Sequence, residues 1–594
     1  MTTKLVSKND VKRALKIRGP FGDIAALTVM SLLGFNKINK KYSNFASFAG
    51  REFTTEMLKE FKVKYDFIEK ELDYIPQEGP FIVVANHPFG AVDGVILLNI
   101  ISSIRPDVKF LTNFILSHIP NLKEFFLPVN PFEDKPGLKS SFSGLRMASE
   151  TLASGGCLVL FPAGEVATRY KGSVIEDKEW QTSVIKLVKN AKVPVIPVYF
   201  HGTNSNFFHW LGKIHPMLRT ARLPMELVNK AGAVIPVRIG KPVTVNEISE
   251  YKDLKDLGRY LKSRCYAMEA NIRKPEELCT CKSTTPIALP KNNRLLNKEI
   301  KSLGQENHLF TTGNYSCYLA EAKSIPCLLH ELGRKREEAF RAVGEGTNKS
   351  LDTDAFDDYY KHLILWDKHK SKIVGAYRLG FGSEIMPKYG IKGFYSQTLF
   401  NYEEGIHNVL SKSIELGRSF VSLEYQKEPL PLVLLIKGLL YSVLNHKDVE
   451  YLFGPVSISS WYPMFYRSMI IHYLKEHHSV KDLESQVRPF NPFVPDFNRV
   501  SIDDLLRNKM ESIEKFDRYM MRLSDNQFRL PTLVKKYLKI NAKIINYNVD
   551  PDFNYCVDGL VLLDLKQVPR QEILALSKDE KNQAQVLARF GIES

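Results

Sequence analysis

The sequence predicts an α/β protein of two domains, and three observations carry that prediction. In the first half, short apolar runs at 81–85, 157–161 and 193–200 alternate with stretches of helical period at Ser143–Leu152 and Trp180–Asn190. This is the pattern of strands buried between helices, with sites at the strand ends. In the second half, long helical stretches mix with strand-like runs at 372–378 and 419–424. Between the halves, residues 273–299 are rich in Pro, Thr and charge and poor in periodic hydrophobics, as linkers are. A chain of 594 residues is too long for one core, so 1–272 and 300–594 are read as separate domains.

The run 24–35 is interrupted by Thr28 and Ser31 and flanked by Asp23 and Lys37. It falls short of the roughly eighteen apolar residues that a membrane span requires. Lys8, Lys12, Arg13, Lys16 and Arg18 precede it like the basic end of a signal peptide, but no small-residue cleavage site follows. It reads as a helix lying in the membrane interface, the alternative being an amphipathic core helix. The seven cysteines are odd in number and show no metal-ligand spacing, so no metal is implied and a reducing cytoplasm is the expected compartment. The formal net charge of +16 is spread along the chain without any nucleic-acid-binding pattern, which points away from nucleic acid and toward anionic partners.

The first chemistry-bearing segment is Asn86-His87-Pro88-Phe89-Gly90-Ala91-Val92-Asp93, directly after the apolar run 81–85. A carboxylate at such a turn can hold one imidazole nitrogen and leave the other free to take a proton from a substrate hydroxyl. The bland alternative is a turn in which His87 only caps backbone groups. Phe161-Pro162-Ala163-Gly164-Glu165-Val166-Ala167-Thr168-Arg169 follows a strand-like run, and Val193-Pro194-Val195-Ile196-Pro197-Val198 comes about thirty residues later. In order and spacing these blocks resemble the glycerolipid (lysophosphatidic-acid type) acyltransferase family. The segment from Phe110 to Phe132 is a weaker match to that family's second block.

Two departures bear on the acceptor. Five residues separate His87 from Asp93 where the family has four, and the family's Phe-Pro-Glu-Gly-Thr-Arg turn reads Phe-Pro-Ala-Gly-Glu-Val here. The resemblance therefore implies His87 as base, Asp93 as its orienter, Asn86, Gly90 and Gly164 as shaping residues, and Glu165 with Arg169 facing an acceptor other than glycerol phosphate.

In the second half, Arg336 and Phe340 lie one helical turn apart. Asp354 and Asp357, the strand-like run containing Arg378, then Glu415, Arg418 and Glu424 follow. Each has an ordinary reading: a solvated arginine over a core aromatic, aspartates starting a helix, and an i,i+3 surface pair on a helix. Together, arginines and acids in equal number would be hard to bury unless they shaped a site. From about Leu319 to Leu565 these blocks resemble the ornithine-acyl carrier protein N-acyltransferase (hemolysin-like) family, relatives of the acyl-homoserine-lactone synthases with a GNAT-type fold. The resemblance implies that Arg336, Phe340, Asp354, Asp357, Arg378, Glu415 and Arg418 shape the site, with Glu424 a weak candidate for the base.

Taken together, the resemblances imply a glycerolipid-acyltransferase-like α/β domain followed by a GNAT-like α/β domain, as in fused ornithine lipid synthases. The second domain would N-acylate ornithine, and the first would O-acylate the resulting lyso-aminolipid. The acyl donor would be acyl-acyl carrier protein, and no cofactor is implied. The chain is expected to be cytoplasmic and peripherally bound to the anionic inner membrane. The alternatives are glycine in place of ornithine, a lysophospholipid acyltransferase with a non-catalytic docking domain, and an inactive membrane-bound scaffold.

Overall fold

The computed structural model describes the chain except residues 1–4, 16–18, 114–118, 130–139, 170–173, 215, 273–283, 578–582 and 591–594. The described residues form two compact α/β units, Met1–Ile272 with Phe497–Gln527, and Arg273–Asp496 with Phe528–Ser594.

The first unit contains β1 (Lys64–Asp66), β2 (Phe81–Ala85), β3 (Lys109–Asn113), β4 (Phe126–Val129), β5 (Cys157–Leu160), β6 (Thr168–Arg169), β7 (Ile175–Glu176), β8 (Val195–Phe200) and β9 (Val234–Ile239). Seven of them make one sheet in the order β1-β9-β8-β2-β5-β3-β4, and β6 and β7 form a separate hairpin. From β8 through β4 the strands are parallel. Every residue of β2, β5 and β8 is buried, which is why they read as unbroken apolar runs rather than alternating ones. The expected helices appear as Ser140–Ala153 and Thr182–Ala191. The run expected to lie at an interface is covered largely by helix Gly19–Leu32, which buries Ala26 and Met30 and leaves Ile24 and Leu27 exposed. Among the described residues no helix is long and apolar enough to cross a membrane.

Residues 497–527, which the sequence analysis placed within 300–594, belong to the first unit. Helix Ile513–Leu523 buries Phe516 and Met520 completely. Ion pairs Arg507–Asp256 at 2.9 Å, Lys509–Glu250 at 2.7 Å and Arg522–Glu247 at 2.6 Å join the segment to the helices around 245–267. Nothing local marks this return of the chain, because the segment's apolar face is an ordinary helical one whose partner lies some 250 residues earlier in sequence.

The second unit contains β10 (His308–Thr312), β11 (Tyr315–Glu321), β12 (Lys361–Asp367), β13 (Lys372–Phe381), β14 (Phe400–Tyr402), β15 (Ser413–Val421), β16 (Tyr451–Ile458), β17 (Val487–Pro489), β18 (Lys543–Asp550) and β19 (Cys556–Asp564). Eight form a sheet in the order β10-β11-β12-β13-β15-β16-β19-β18. Its neighbours are antiparallel except β15 and β16, which pair in parallel only over Ser413–Glu415 and Tyr451–Phe453. The expected strands 372–378 and 419–424 are thus the start of β13 and, displaced, the end of β15. Helix Asn293–Ser302 begins inside the expected linker and buries Leu296 and Ile300.

Removing the Phe516 ring leaves a cavity in the first unit. Phe516→Ala is expected to cost about 3–5 kcal/mol, read by chemical denaturation, as core aromatic truncations do.

Candidate functional site

In the first unit β2 ends at Ala85 and the chain turns through Asn86–Gly90 into helix Ala91–Ile101. Asn86 ties this turn to the neighbouring strand. Its amide donates to the Phe200 carbonyl at 2.9 Å and accepts from the Phe200 N–H at 2.7 Å. Asp93 sits in the first turn of the helix, wholly buried, and its Oδ2 accepts the backbone N–H groups of Phe89 at 2.9 Å and Gly90 at 3.0 Å. The same oxygen lies 3.0 Å from Nδ1 of His87, a contact off the line of a straight hydrogen bond. Burial pushes the Asp93 carboxyl up from its ordinary value, opposed by His87 and the two N–H groups. His87 rests on Phe161, ring centroids 4.2 Å apart. Nδ1 is buried, so the 18% of the side chain still exposed falls on the rest of the ring, which carries Nε2.

Gly90 has φ +88°, and a Cβ there would come within 2.9 Å of Leu223, so both backbone and space demand glycine. Gly164 is similar, with φ +71° and the Gln181 amide against it. Glu165 pairs with Lys178 at 2.5 Å and Arg219 at 2.6 Å. Burial would raise its carboxyl, but the two cations hold it below the usual range. The Ala167 N–H donates to the His87 carbonyl at 2.8 Å, which brings the Glu165 turn against the histidine turn. Arg169 pairs through its backbone with Ile175, and its side chain lies outside the described residues. Among the described residues the partners of Glu165 are Lys178 and Arg219.

Sequence reasoning missed Asp177. Buried and pushed up to about 6 by its burial, it accepts the His87 N–H at 3.1 Å and the Trp180 indole N–H at 3.2 Å. It thus fixes the histidine's backbone while Asp93 faces its ring. No motif links positions 87 and 177, so no sequence signal marked it.

In the second unit helix Pro326–Arg341 carries Arg336, which is fully buried. From it runs an alternating chain of charges. Arg336 pairs with Asp357 at 2.7 Å, Asp357 with Arg378 at 3.3 Å, Arg378 with Asp354 at 2.6 Å, Asp354 with Arg418 at 3.2 Å, and Arg418 with Asp352 at 3.0 Å. Burial alone would raise Asp357, but Arg336 and Arg378 hold it far below the usual carboxylate range. Burial and Arg336 push His362 down to about 4, so this ring beside Arg336 is neutral near pH 7. Asp354 also caps the turn Ala355–Asp358, accepting the Phe356 N–H at 2.9 Å, so its ordinary role and its place in the chain coexist. Phe340 packs against the core around Leu328, Leu332 and Trp366.

Glu415 and Arg418 are not a helical surface pair. Both lie on β15, Glu415 buried and Arg418 nearly so, with 9% of its side chain exposed. Glu415 accepts the N–H groups of Tyr395 at 2.9 Å and Ser396 at 2.7 Å and the Tyr360 hydroxyl. It thereby positions Tyr395, whose ring centroid lies 4.6 Å from the Arg418 guanidinium. Arg418 has φ +50°, a strained position held by its two carboxylates and by the rings of Tyr395 and Phe553. Glu424 instead pairs with Lys372 at 2.8 Å and Lys335 at 3.6 Å, and these lysines, outweighing partial burial, hold it below its ordinary value. That is the wrong direction for a base awaiting a proton.

Carboxyls with the right direction include Asp558 and Glu345, besides Glu415 and Asp550. Asp558 accepts the Ser457 hydroxyl at 2.6 Å and is raised to about 7 by burial, with the Asp550 charge adding to the effect. Glu345 is raised to about 8 by burial, with Asp558 as its charged neighbour. An apolar cavity of about 70 Å³ lies against β16 and β19, lined by Leu416, Leu452, Pro455, Leu439, Tyr537 and Val561. Among the described residues no group of three or more His, Cys, Asp or Glu side chains is arranged to hold a metal.

Comparison with known proteins defines the class. A family described as "Acyltransferase" matches residues 26–274, and one described as "Acetyltransferase (GNAT) domain" matches residues 336–436. The chain is an enzyme that transfers acyl groups and carries two acyltransferase domains. A glycine N(alpha)-acyltransferase of Bacteroides thetaiotaomicron is 30% identical over 269 residues, 43% of this chain and 78% of that protein. A lyso-glycine lipid O-acyltransferase of the same organism is 30% identical over 207 residues, 34% of this chain and 74% of that protein. The chain belongs to the family of these aminolipid acyltransferases. Among solved structures, the 1-acyl-sn-glycerophosphate acyltransferase PlsC of Thermotoga maritima aligns with 42% of this chain and 99% of its own, at 18% identity and a TM-score of 0.24.

The charge chain and Glu424 predict opposite costs. Arg378→Ala leaves Asp354 and Asp357 short of a buried partner and is expected to destabilise the second unit by about 3–5 kcal/mol. Glu424→Gln is expected to change stability by about 0.5 kcal/mol or less, both read by urea denaturation.

Proposed function

We propose that the chain builds an aminolipid in two acyl transfers. The second unit transfers a 3-hydroxyacyl group from acyl carrier protein to the α-amine of a small amino acid, and the first unit then acylates the 3-hydroxyl of that product. The observation that carries the reading is the pairing, in one chain, of a His–Asp turn suited to hydroxyl acylation with a buried Arg–Asp chain in a GNAT domain.

For O-transfer, Nε2 of His87 takes the proton from the acceptor hydroxyl as its oxygen attacks the thioester carbon. Asp93, close to Nδ1, stabilises the imidazolium that forms. When the tetrahedral intermediate collapses, the carrier thiolate leaves and recovers the proton from His87. Glu165, Arg219 and Lys178 meet the polar part of the acceptor. For N-transfer the amine must shed a proton before it attacks. Asp558 or Glu345 receives it, burial having raised them to about 7 and about 8. The neutral amine then attacks the thioester carbon, the C–S bond breaks as the intermediate collapses, and the second proton shed by nitrogen goes to the leaving carrier thiolate. Arg418 and Arg378 fix the acceptor's carboxylate side, and the apolar cavity against β16 and β19 takes part of the acyl chain. The expected base, Glu424, has no part in this scheme.

The names of the relatives favour glycine as the amino acid over the ornithine expected from sequence. Ornithine remains the second reading, because Asp550, Asp558 and Glu345 provide carboxyls for a second ammonium group.

Expression of the chain in a bacterial host lacking aminolipids, with lipid extracts followed by mass spectrometry, tests the scheme. His87→Ala is expected to lower O-acylation by roughly two to four orders of magnitude while the mono-acyl product accumulates. Unchanged di-acyl product would remove His87 from the mechanism.

N-acylation carries its own pH signature. A base whose pKa is raised works only once deprotonated, so the N-transfer rate is expected to climb through about pH 7 and to lose that limb in Asp558→Asn. A flat profile in the unaltered protein between pH 6 and 8 would place the base elsewhere.

A further inference from the structure

Helix Asn206–Ile214 of the first unit is amphipathic with an unusual orientation. It turns Phe208 and His209 inward, 0% and 4% exposed, and leaves Phe207, Trp210 and Ile214 in solvent at 50%, 53% and 55%. Spacings of three and four residues put these three on one face. The Phe207 and Trp210 rings stack with centroids 5.6 Å apart, and Leu218 of the next helix, Pro216–Asn229, is 45% exposed. Single exposed apolar residues are ordinary, whereas a contiguous aromatic and aliphatic ridge marks a surface that something covers.

Its surroundings identify the partner's chemistry. Lys213 is exposed on the same helix, and the Arg222 guanidinium lies 5.3 Å from the Phe207 ring centroid. Gly34 rests against Met225 of helix Pro216–Asn229, so the basic helix Phe35–Tyr42 adjoins that helix, and exposed Ile24 and Leu27 lie on the helix packed against Phe35–Tyr42. Aromatic residues with a basic fringe match the interfacial zone of a bilayer with anionic headgroups, where indole and phenyl rings settle among the upper acyl chains and cations meet phosphates. A chain of net charge +16 adds long-range attraction to such a surface. The ridge also leads to the chemistry. Helix Pro216–Asn229 supplies Leu223 against Gly90 and Arg219 against Glu165, so the ridge stands beside the mouth of the His87 site.

We propose that the ridge Phe207–Trp210–Ile214–Leu218 docks the first unit on an anionic lipid surface, so that a lipid acceptor passes from the bilayer to His87 without crossing water. The lipid nature of the acceptor rests on the function proposed above, but the docking is testable apart from it.

The full chain contains four tryptophans, of which Trp180 and Trp366 are buried. In Trp461→Phe protein the exposed reporter is Trp210. Its emission is expected to shift to the blue with mixed phosphatidylcholine–phosphatidylglycerol vesicles, less so in high salt and least with phosphatidylcholine alone. Phe207→Ser combined with Trp210→Ser is expected to weaken vesicle partitioning, measured by flotation, on the order of tenfold or more, with an unchanged circular dichroism spectrum. Equal flotation of this variant and the unaltered protein would overturn the proposal. So would a dimer that dissociates only in the variant while vesicle binding persists, since a second copy would then cover the ridge. Ridge-dependent vesicle binding by a chain that performs no O-acylation would support the surface and reject the lipid acceptor.

Discussion

One buried oxygen, Oδ2 of Asp93, organises the first unit's chemistry. It takes two backbone N–H groups that would otherwise be orphaned at the start of helix Ala91–Ile101, and it faces the imidazole of His87. Burial this complete drives the carboxyl toward its neutral form, and the donors on Oδ2 oppose that drive. The same donors that oppose this drive therefore fix the turn and hold the carboxyl against the ring. Asn86 and Asp177 complete the arrangement from neighbouring elements, one holding the turn to β8 and the other holding the His87 backbone. This geometry also absorbs the extra residue between His87 and Asp93. Gly90, in the left-handed region, turns the chain so that a carboxylate at the third helical position reaches back to the histidine.

The second unit solves a harder electrostatic problem. Three arginines and three aspartates alternate from Arg336 to Asp352, each aspartate within reach of an arginine. Taking such charges from water is costly, and the chain is tolerable only because no member stands alone. Glu415 stands outside it, held by N–H and O–H donors, and acts on the site through Tyr395. Asp558, with Asp550 as a like-charged neighbour and a hydroxyl as its hydrogen-bond donor, is driven upward instead of down. One unit thus contains carboxyls that paired cations hold down and carboxyls that burial raises.

Much of this was legible in sequence because strands buried on both faces write themselves as unbroken apolar runs, and because His87 and Asp93 stand together at the end of one. Arg336, Asp354, Asp357 and Arg378 were legible as members of a set of charges too numerous to bury idly, though not their alternation. Two kinds of information were not. Asp177, Arg219, Asp352, Asp558 and Glu345 reach their sites through tertiary packing from stretches with no motif of their own. Glu415 and Arg418 were weighed as helical neighbours, but in a strand residues three apart tend to opposite faces, so the two serve different partners. The return of residues 497–527 to the first unit was hidden for a related reason, since its ion pairs span some 250 positions.

The two units propose an order of events in which the amide product of one becomes the hydroxyl acceptor of the other. The most direct test is a time course with the purified full chain, acyl-acyl carrier protein, and isotopically labelled glycine or ornithine, with products resolved by mass spectrometry. The account predicts that a labelled mono-acyl amide appears first and is then converted to a di-acyl lipid. Label that never enters lipid, alongside acylation of added lysophospholipid, would contradict it.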